Sequence, residues 1–411
     1  MNCDLSPKNK LESFANRTWA EIDVEALIHN IRLIRNHTNP SSQILAVVKA
    51  DAYGHGAVFC AKTFLENGAA WLGVATVDEA RELRDAGITA PILLLGFSDP
   101  CDYPYLVAEK IRPAVLSLCQ AKKLSVEAVR QGKTVCFHVK LDTGMHRVGF
   151  IDDKVNRTSI QNTNYIEEIR EMFHLPGIIP EGVFTHFSVA DEMDEESDAY
   201  TLAQFAEFQE MIACLEREGL RFPIHHVCNS AALLRFPQMH LDLVRPGIIL
   251  YGLLPGACNH PDEGELIPVM AFKTKLIQKK YLSAGKTISY GRTYTLNRES
   301  LVGTIPVGYA DGYSRRLSNQ GSVLINGQIA NVIGTVCMDQ TILDLTDLPE
   351  NPALYDEVVL FGSCEFLGKR TYLPVSDLAE KIGTIHYEIT CLVGKRIPRV
   401  YMQNAKAIHM G

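Results

Sequence analysis

Eight short apolar runs punctuate the first part of the chain. They are ILAVVKA from Ile44, WLGVAT from Trp71, PILLLG from Pro91, IRPAVLS from Ile111, VCFHVKL from Val135, EGVFTHF from Glu181, IHHVCNS from Ile224 and LVRPGIILYG from Leu243. Continuous runs of this kind read as strands covered on both faces. Between them lie helical patterns such as VDEARELRDAG from Val77 and TLAQFAEFQEMIACLEREG from Thr201. Eight strand–helix repeats predict an α/β fold, a (β/α)8 barrel of the TIM type. An open doubly wound sheet is the competing architecture. The count of eight and the lack of a GxGxxG stretch favour the barrel.

After Gly256 the texture changes. CNHPDEGELIP, from Cys258, is polar and turn-rich. Strand-like runs follow without long helices: VMAFKTKLIQ, TISYGRTYTL, SLVGTIPVGYA, GSVLINGQIANVIGTVCMDQTILDL and DEVVLFG. Asn326-Gly327 between apolar stretches signals a hairpin. One helix is expected near Val375 to Ile382, with Ser376-Asp377 as its cap. The chain thus divides into a barrel over 1–256, with a short N-terminal extension, and a mostly β domain over 257–411.

Composition excludes several classes. The 411-residue chain is 46% hydrophobic and 21% charged, as a soluble globular protein would be. A net charge of −8 argues against nucleic acid, whose phosphates need a cationic surface. No apolar run is long enough to span a bilayer, and the N-terminus lacks a signal core, so a cytoplasmic protein is expected. The eleven cysteines include no CxxC pair and read as reduced residues of a cytosolic protein. No zinc or other metal signature is present.

Chemistry gathers at the strand ends. ILAVV stops on Lys49, and Asp51, Tyr53, Gly54, His55 and Gly56 follow at once. A lysine there can point into a desolvated pocket, lose proton affinity and attack an aldehyde. The plainer reading is a lysine whose stem lies along an ordinary core strand. The other strand ends carry Lys140 and Arg147, His186, Asn229-Ser230, and Arg245-Pro246-Gly247-Ile248. Taken singly, Arg245 fits a surface ion pair and His186 a satisfied core histidine. Together they stand where barrels place catalytic groups. Ser230 offers a hydroxyl, and Gly247-Ile248 offer backbone N–H groups, after the last two strands where barrels often bind phosphate. A Schiff-base lysine facing a phosphate site implies pyridoxal 5′-phosphate.

The segments VVKADAYGHG, KLDTGMHRVGF, THFSVAD, NSAA, VRPGIILYG, SYGRTYT, VGYADGY, CMDQ and IHYE resemble, in order, the signature segments of bacterial alanine racemases. The resemblance runs from about residue 18 to the C-terminus. It implies a pyridoxal-phosphate barrel, a C-terminal β domain and a head-to-tail homodimer with shared active sites. It implies that Lys49 binds the cofactor and is one of two acid/base groups. Tyr290 is the other, delivered from the partner subunit, with His186 assisting it and Arg245 contacting both His186 and the pyridine nitrogen. Tyr53, Ser230, Gly247, Ile248 and Tyr387 correspond to phosphate contacts. Arg147 and the Met338-Asp339 pair correspond to substrate-carboxylate recognition, Met338 through its backbone and again across the dimer. Lys140 matches a position that carries a CO2-derived carbamate in the family.

Tyr309 and Tyr387 resemble gate tyrosines that favour a small side chain, and Asp191 and Arg315 match outer corridor positions. Thr335 departs from the pattern, since many members carry arginine there. The polar stretch within 150–181, with Asn156, Asn162 and Asn164, has no functional reading. The implied activity is interconversion of L- and D-alanine for peptidoglycan. The alternatives are a serine or broader amino-acid racemase, a non-catalytic pyridoxal-phosphate barrel and a barrel-type decarboxylase. The last two fit poorly with a β domain bearing Tyr290 and with arginine at position 245.

Overall fold

The computed structural model describes residues 17–152, 165–262 and 264–411. The N-terminal extension and the asparagines at 156, 162 and 164 lie outside the described residues. Two compact units result. One comprises Leu27–Ala52 and Ala57–Ile267; the other comprises 17–26, Tyr53–Gly56 and Pro268–Gly411.

The first unit is the barrel. Its parallel strands are Gln43–Val47, Trp71–Val74, Ile92–Leu94, Arg112–Val115, Val135–Lys140, Ile178–Phe184, Ile224–His226 and Leu243–Val244. They pair in sequence order, and Leu243–Val244 returns to Gln43–Val47. Each of the eight lies on one of the eight apolar runs. Between the last two strands, closure rests on single backbone bonds, Asp242 N–H to His225 O (3.1 Å) and Arg245 N–H to Cys228 O (3.1 Å). Trp71–Val74 and Ile92–Leu94 are buried throughout, as strands covered on both faces require.

Local chemistry starts and stops the helices between them. Thr76 and Glu79 form a reciprocal capping box at Val77–Asp85. Ser117 caps Leu118–Gln131, and Gly132, at φ 62, ends it. The segment after Gly256 stays with the barrel unit up to Ile267. Asn30, on the helix Val24–His37, explains this. Its amide group donates to Ile267 O and accepts from Ile267 N–H, both at 2.8 Å.

The second unit centres on an eleven-stranded sheet. Thr18–Asp23, the first described strand, pairs antiparallel with Met270–Lys275 and parallel with Arg399–Gln403. Asn326 and Gly327, at φ 51 and 70, make the expected two-residue hairpin between Ser322–Ile325 and Gln328–Val332. Val375–Ile382 is helical as expected, but its cap differs. Pro374 occupies the N-cap and no side chain caps the helix, so Ser376 and Asp377 lie inside its first turn. Among the described residues, no helix is long and apolar enough to cross a membrane. Nor does any group of three or more His, Cys, Asp and Glu there stand ready for a metal.

Candidate active site

Lys49 stands two residues beyond the strand Gln43–Val47 and opens the segment Lys49–Gly54. That segment winds left-handed: Ala50, Asp51, Ala52 and Tyr53 have φ of 53, 53, 54 and 54°. Left-handed helix costs an L-residue roughly 1–2 kcal/mol, so four in succession need support. In the barrel unit, Ala50 N–H donates to Glu79 Oε1 (2.7 Å), Ala52 N–H to Val48 O (2.9 Å), and Ala57 N–H to Asp51 Oδ1 (2.8 Å). In the β unit, Gly54 (φ 86) ends the turn, and Arg399 Nε donates to its carbonyl at 2.9 Å. A Cβ on Gly54 would lie 2.1 Å from Thr390 O, and one on Gly56 1.9 Å from the Tyr401 hydroxyl. These two glycines are required by close approach as well as by φ.

The mouth of the barrel is cationic. His186 follows Ile178–Phe184 and is surrounded by the charges of Arg245, Lys140, Arg147 and Lys49; burial first, then these charges, push its pKa well below the ordinary histidine value. It is therefore neutral at pH 7. Arg245 is buried, and its Nη2 donates to Thr185 O (2.8 Å) and Val227 O (3.0 Å) and lies 3.4 Å from His186 Nδ1. Burial brings the guanidinium down to about 10, which leaves it charged at neutral pH. Lys140 is also buried. Desolvation, with Asp142 opposing and Arg245 and Arg147 reinforcing, brings its amine down to about 7. Its Nζ donates to Leu141 O at 2.5 Å.

Ser230 and Gly247 meet after the last two strands. Gly247 N–H donates to Ser230 Oγ at 2.8 Å, so this amide is engaged where the sequence reading expected it open. Asn229 caps the short helix Ser230–Arg235 through Ala232 N–H, and Gly247 precedes the 3-10 turn Ile248–Tyr251. The structure thus brings Arg245, Lys140, Arg147 and Lys49 within electrostatic reach of His186, and joins Ser230 to Gly247. Arg147 itself is exposed, and Asp191 is half-buried.

The remaining predicted residues lie in the β unit. Tyr290 is 72% exposed and sits on the turn Tyr290–Arg292. Tyr309 and Met338 are exposed as well. Asp339 accepts from Arg396 Nη2 at 2.7 Å, and Arg396 also holds the buried Asp311 at 2.8 Å. The Tyr387 ring tilts against Tyr53 with centroids 6.2 Å apart. Burial raises the Tyr53 phenol far above its ordinary value. Thr335 is buried and donates to Tyr290 O at 2.8 Å, supporting the turn that carries the phenol. Arg315 is exposed.

Sequence reading did not single out His226, His138 and Glu181. Arg245 Nη1 lies 3.0 Å from His226 Nδ1, and His226 Nε2 lies 2.8 Å from His138 Nδ1. His138 Nε2 in turn lies 3.4 Å from Glu181 Oε2. Glu181 pairs with Arg112 at 2.7 Å. The available signal was a histidine interrupting each of the apolar runs VCFHVKL and IHHVCNS.

A pyridoxal-phosphate cofactor suits this donor set. The mouth offers a strand-end lysine and a buried arginine beside His186, and the strand ends also carry a hydroxyl at the start of a short helix. The family model for the alanine racemase N-terminal domain matches residues 22–255, and that for the C-terminal domain matches 269–401. An alanine racemase of Desulforamulus reducens is 44% identical over 93% of this chain and 98% of its own length. One from Desulfovibrio desulfuricans is also 44% identical, over 95% and 100%. Among solved structures, alanine racemase from Clostridium difficile superposes with TM-score 0.87 at 38% identity, covering 96% of this chain and 98% of that one. Alanine racemase from Bacillus anthracis with bound L-Ala-P superposes with TM-score 0.85 at 35% identity, covering 97% and 98%.

Proposed function

This chain belongs to the alanine racemase family, and from that premise we propose that it interconverts L- and D-alanine with pyridoxal 5′-phosphate by a two-base route. The observation that carries this reading is the gathering of Lys49, Arg147 and Arg245 around a neutral His186. Such a mouth suits an anionic cofactor and an amino-acid carboxylate. The L-Ala-P bound by the Bacillus anthracis relative supports a small alanine-like ligand.

When bound, the cofactor supplies the electron sink that makes the substrate's α-proton removable. Lys49 anchors it and moves the proton at one face through Nζ. Tyr290 moves the proton at the other face through its phenol, offered by a second copy of the chain. One base on each face is what inversion demands, because the proton leaves one side and returns on the other. His186, poor in proton affinity, supports the phenol without competing for its proton. Arg245 would donate to the ring nitrogen. A guanidinium that stays charged would leave that nitrogen unprotonated and so moderate the electron withdrawal the cofactor supplies. Ser230, Gly247, Ile248, Tyr53 and Tyr387 would hold the phosphate. Arg147, Met338 and Asp339 orient the substrate carboxylate. Tyr309 and Tyr387 narrow the entrance, and Asp191 and Arg315 line its approach. We read the physiological role as D-alanine supply for peptidoglycan, by a cytoplasmic homodimer.

Chirally resolved product analysis with a panel of L-amino acids tests the assignment. Alanine is expected to invert fastest, and borohydride reduction is expected to fix pyridoxyl on Lys49. Serine inverted as efficiently as alanine would overturn the specificity. A label on a different lysine would overturn the role of Lys49.

A further inference from the structure

A line of polar groups crosses the barrel interior. It starts at Arg245, just past the strand Leu243–Val244. It passes through His226 at the end of Ile224–His226 and His138 within Val135–Lys140, and reaches Glu181 within Ile178–Phe184. Its links are 3.0, 2.8 and 3.4 Å long. Both histidine side chains are fully buried. The last link meets Arg112, which opens its strand at the N-terminal end of the barrel, opposite the mouth.

The two ends dictate the protons between them. A guanidinium only donates and a carboxylate only accepts. Arg245 therefore requires a bare Nδ1 on His226, which places that proton on Nε2. His226 Nε2–H then requires a bare Nδ1 on His138, which places its proton on Nε2, facing Glu181 Oε2. Reading from the glutamate upward gives the same order. All three bonds point the same way, from cation to anion, and both rings are neutral. Burial favours the neutral rings, and the bonds from His138 and Arg112, with Arg112's charge, overcome the burial of Glu181 and bring it down to about 2.

The path is built, not incidental. The Phe184 ring stacks on His226 at 4.7 Å and 6°. Trp71 meets His138 edge-on at 5.6 Å. Gly182 admits His138, because a Cβ there would stand 2.4 Å from its Nδ1.

We propose that Glu181 is a positioning residue for Arg245, acting through a proton-ordered chain of His138 and His226 that spans the barrel. Its own charge is held by Arg112, so it acts on Arg245 through the order of the bonds between them. It holds His226 in the single tautomer able to accept from Arg245. The proposal rests on the reading of Arg245 as the cofactor's partner only for its effect on turnover.

Neutron diffraction from deuterated holoenzyme crystals reads the chain directly. Deuterium is expected on Nε2 of both histidines and on neither Nδ1. Deuterium on Nδ1 of either ring would overturn the proposal, whatever the enzyme's activity. Glu181→Leu removes the acceptor; kcat is expected to fall about tenfold with KM little changed, as for loss of a hydrogen bond to a charged group. Glu181→Gln keeps an acceptor oxygen but not the charge, and should recover part of that loss. A folded Glu181→Leu enzyme with wild-type kcat would sink the idea. If that variant does not fold, the wild-type map and the Glu181→Gln rate still decide. A protein with the expected proton order that fails to racemise alanine would refute the functional reading and leave the relay standing.

Discussion

At the scale of single residues, Lys140 is a nucleophile in waiting. Its amine, brought to about 7 mainly by desolvation, is largely neutral at pH 8, where an exposed lysine is not. Only the neutral amine adds CO2. A carbamate there would exchange a cation for an anion beside Arg147. The sign follows from the lowered pKa: carbamylation is expected above about pH 7 and lost as pH falls through that value. The same lowering means that the unfolded chain binds this proton more tightly. Its contribution to stability therefore rises with pH from about 7 towards the ordinary lysine range and is lost below. A carbamate carbon signal from 13C-labelled bicarbonate, absent in Lys140→Gln, checks the first expectation. Full activity with a bare amine in CO2-depleted buffer would refute it.

At the scale of elements, the left-handed turn after Lys49 is the costliest piece of backbone in the site. Its far end depends on Gly54, which combines φ 86 with a Cβ clash at 2.1 Å against a carbonyl. Gly87 has a similar φ of 81 but open space around it. Gly54→Ala is expected to cost about 2–4 kcal/mol, strain plus overpacking, and Gly87→Ala about 1 kcal/mol. Denaturant unfolding of the two variants separates the terms. Equal losses would mean that the approach to Thr390 relaxes without cost. The barrel strands, the hairpin and many β-unit strands could be read from sequence, because apolar runs and Asn-Gly carry local signals. Thr18–Asp23 and Arg399–Gln403, which pair with each other, were not read, and residues 17–26 join the β unit rather than the barrel. Nor could the left-handed turn be read. Residues such as Ala50 and Ala52 have no preference for positive φ, and the turn exists because Glu79 and Asp51 hold it.

At the scale of the whole molecule, the proposed two-base route takes Tyr290 from a second copy of the chain. Lys49→Ala and Tyr290→Ala chains are each expected to be nearly inactive alone. Mixed and allowed to exchange, they rebuild one intact site per mixed dimer, on the order of a quarter of wild-type activity for random pairing. Activity measured after subunit exchange proven by mass-tagged chains is the check. No recovery would mean that each chain completes its own site.

Sequence alone determined the barrel, the β unit and the cluster of strand-end groups. Each rests on signals within a few residues: apolar runs, a glycine pair, a lysine closing a strand. Tertiary structure decided the rest. Lys140 and His186 have altered proton affinity because burial and neighbouring cations surround them, and those neighbours come from different strands. Gly247 is engaged because Ser230, 17 residues away, turns its hydroxyl to it. His138 and His226, separated by 88 residues, became partners only when their strands brought two rings into one interior. A sequence records which groups can donate or accept; which of them meet, and with how little water between them, is set by the closed barrel.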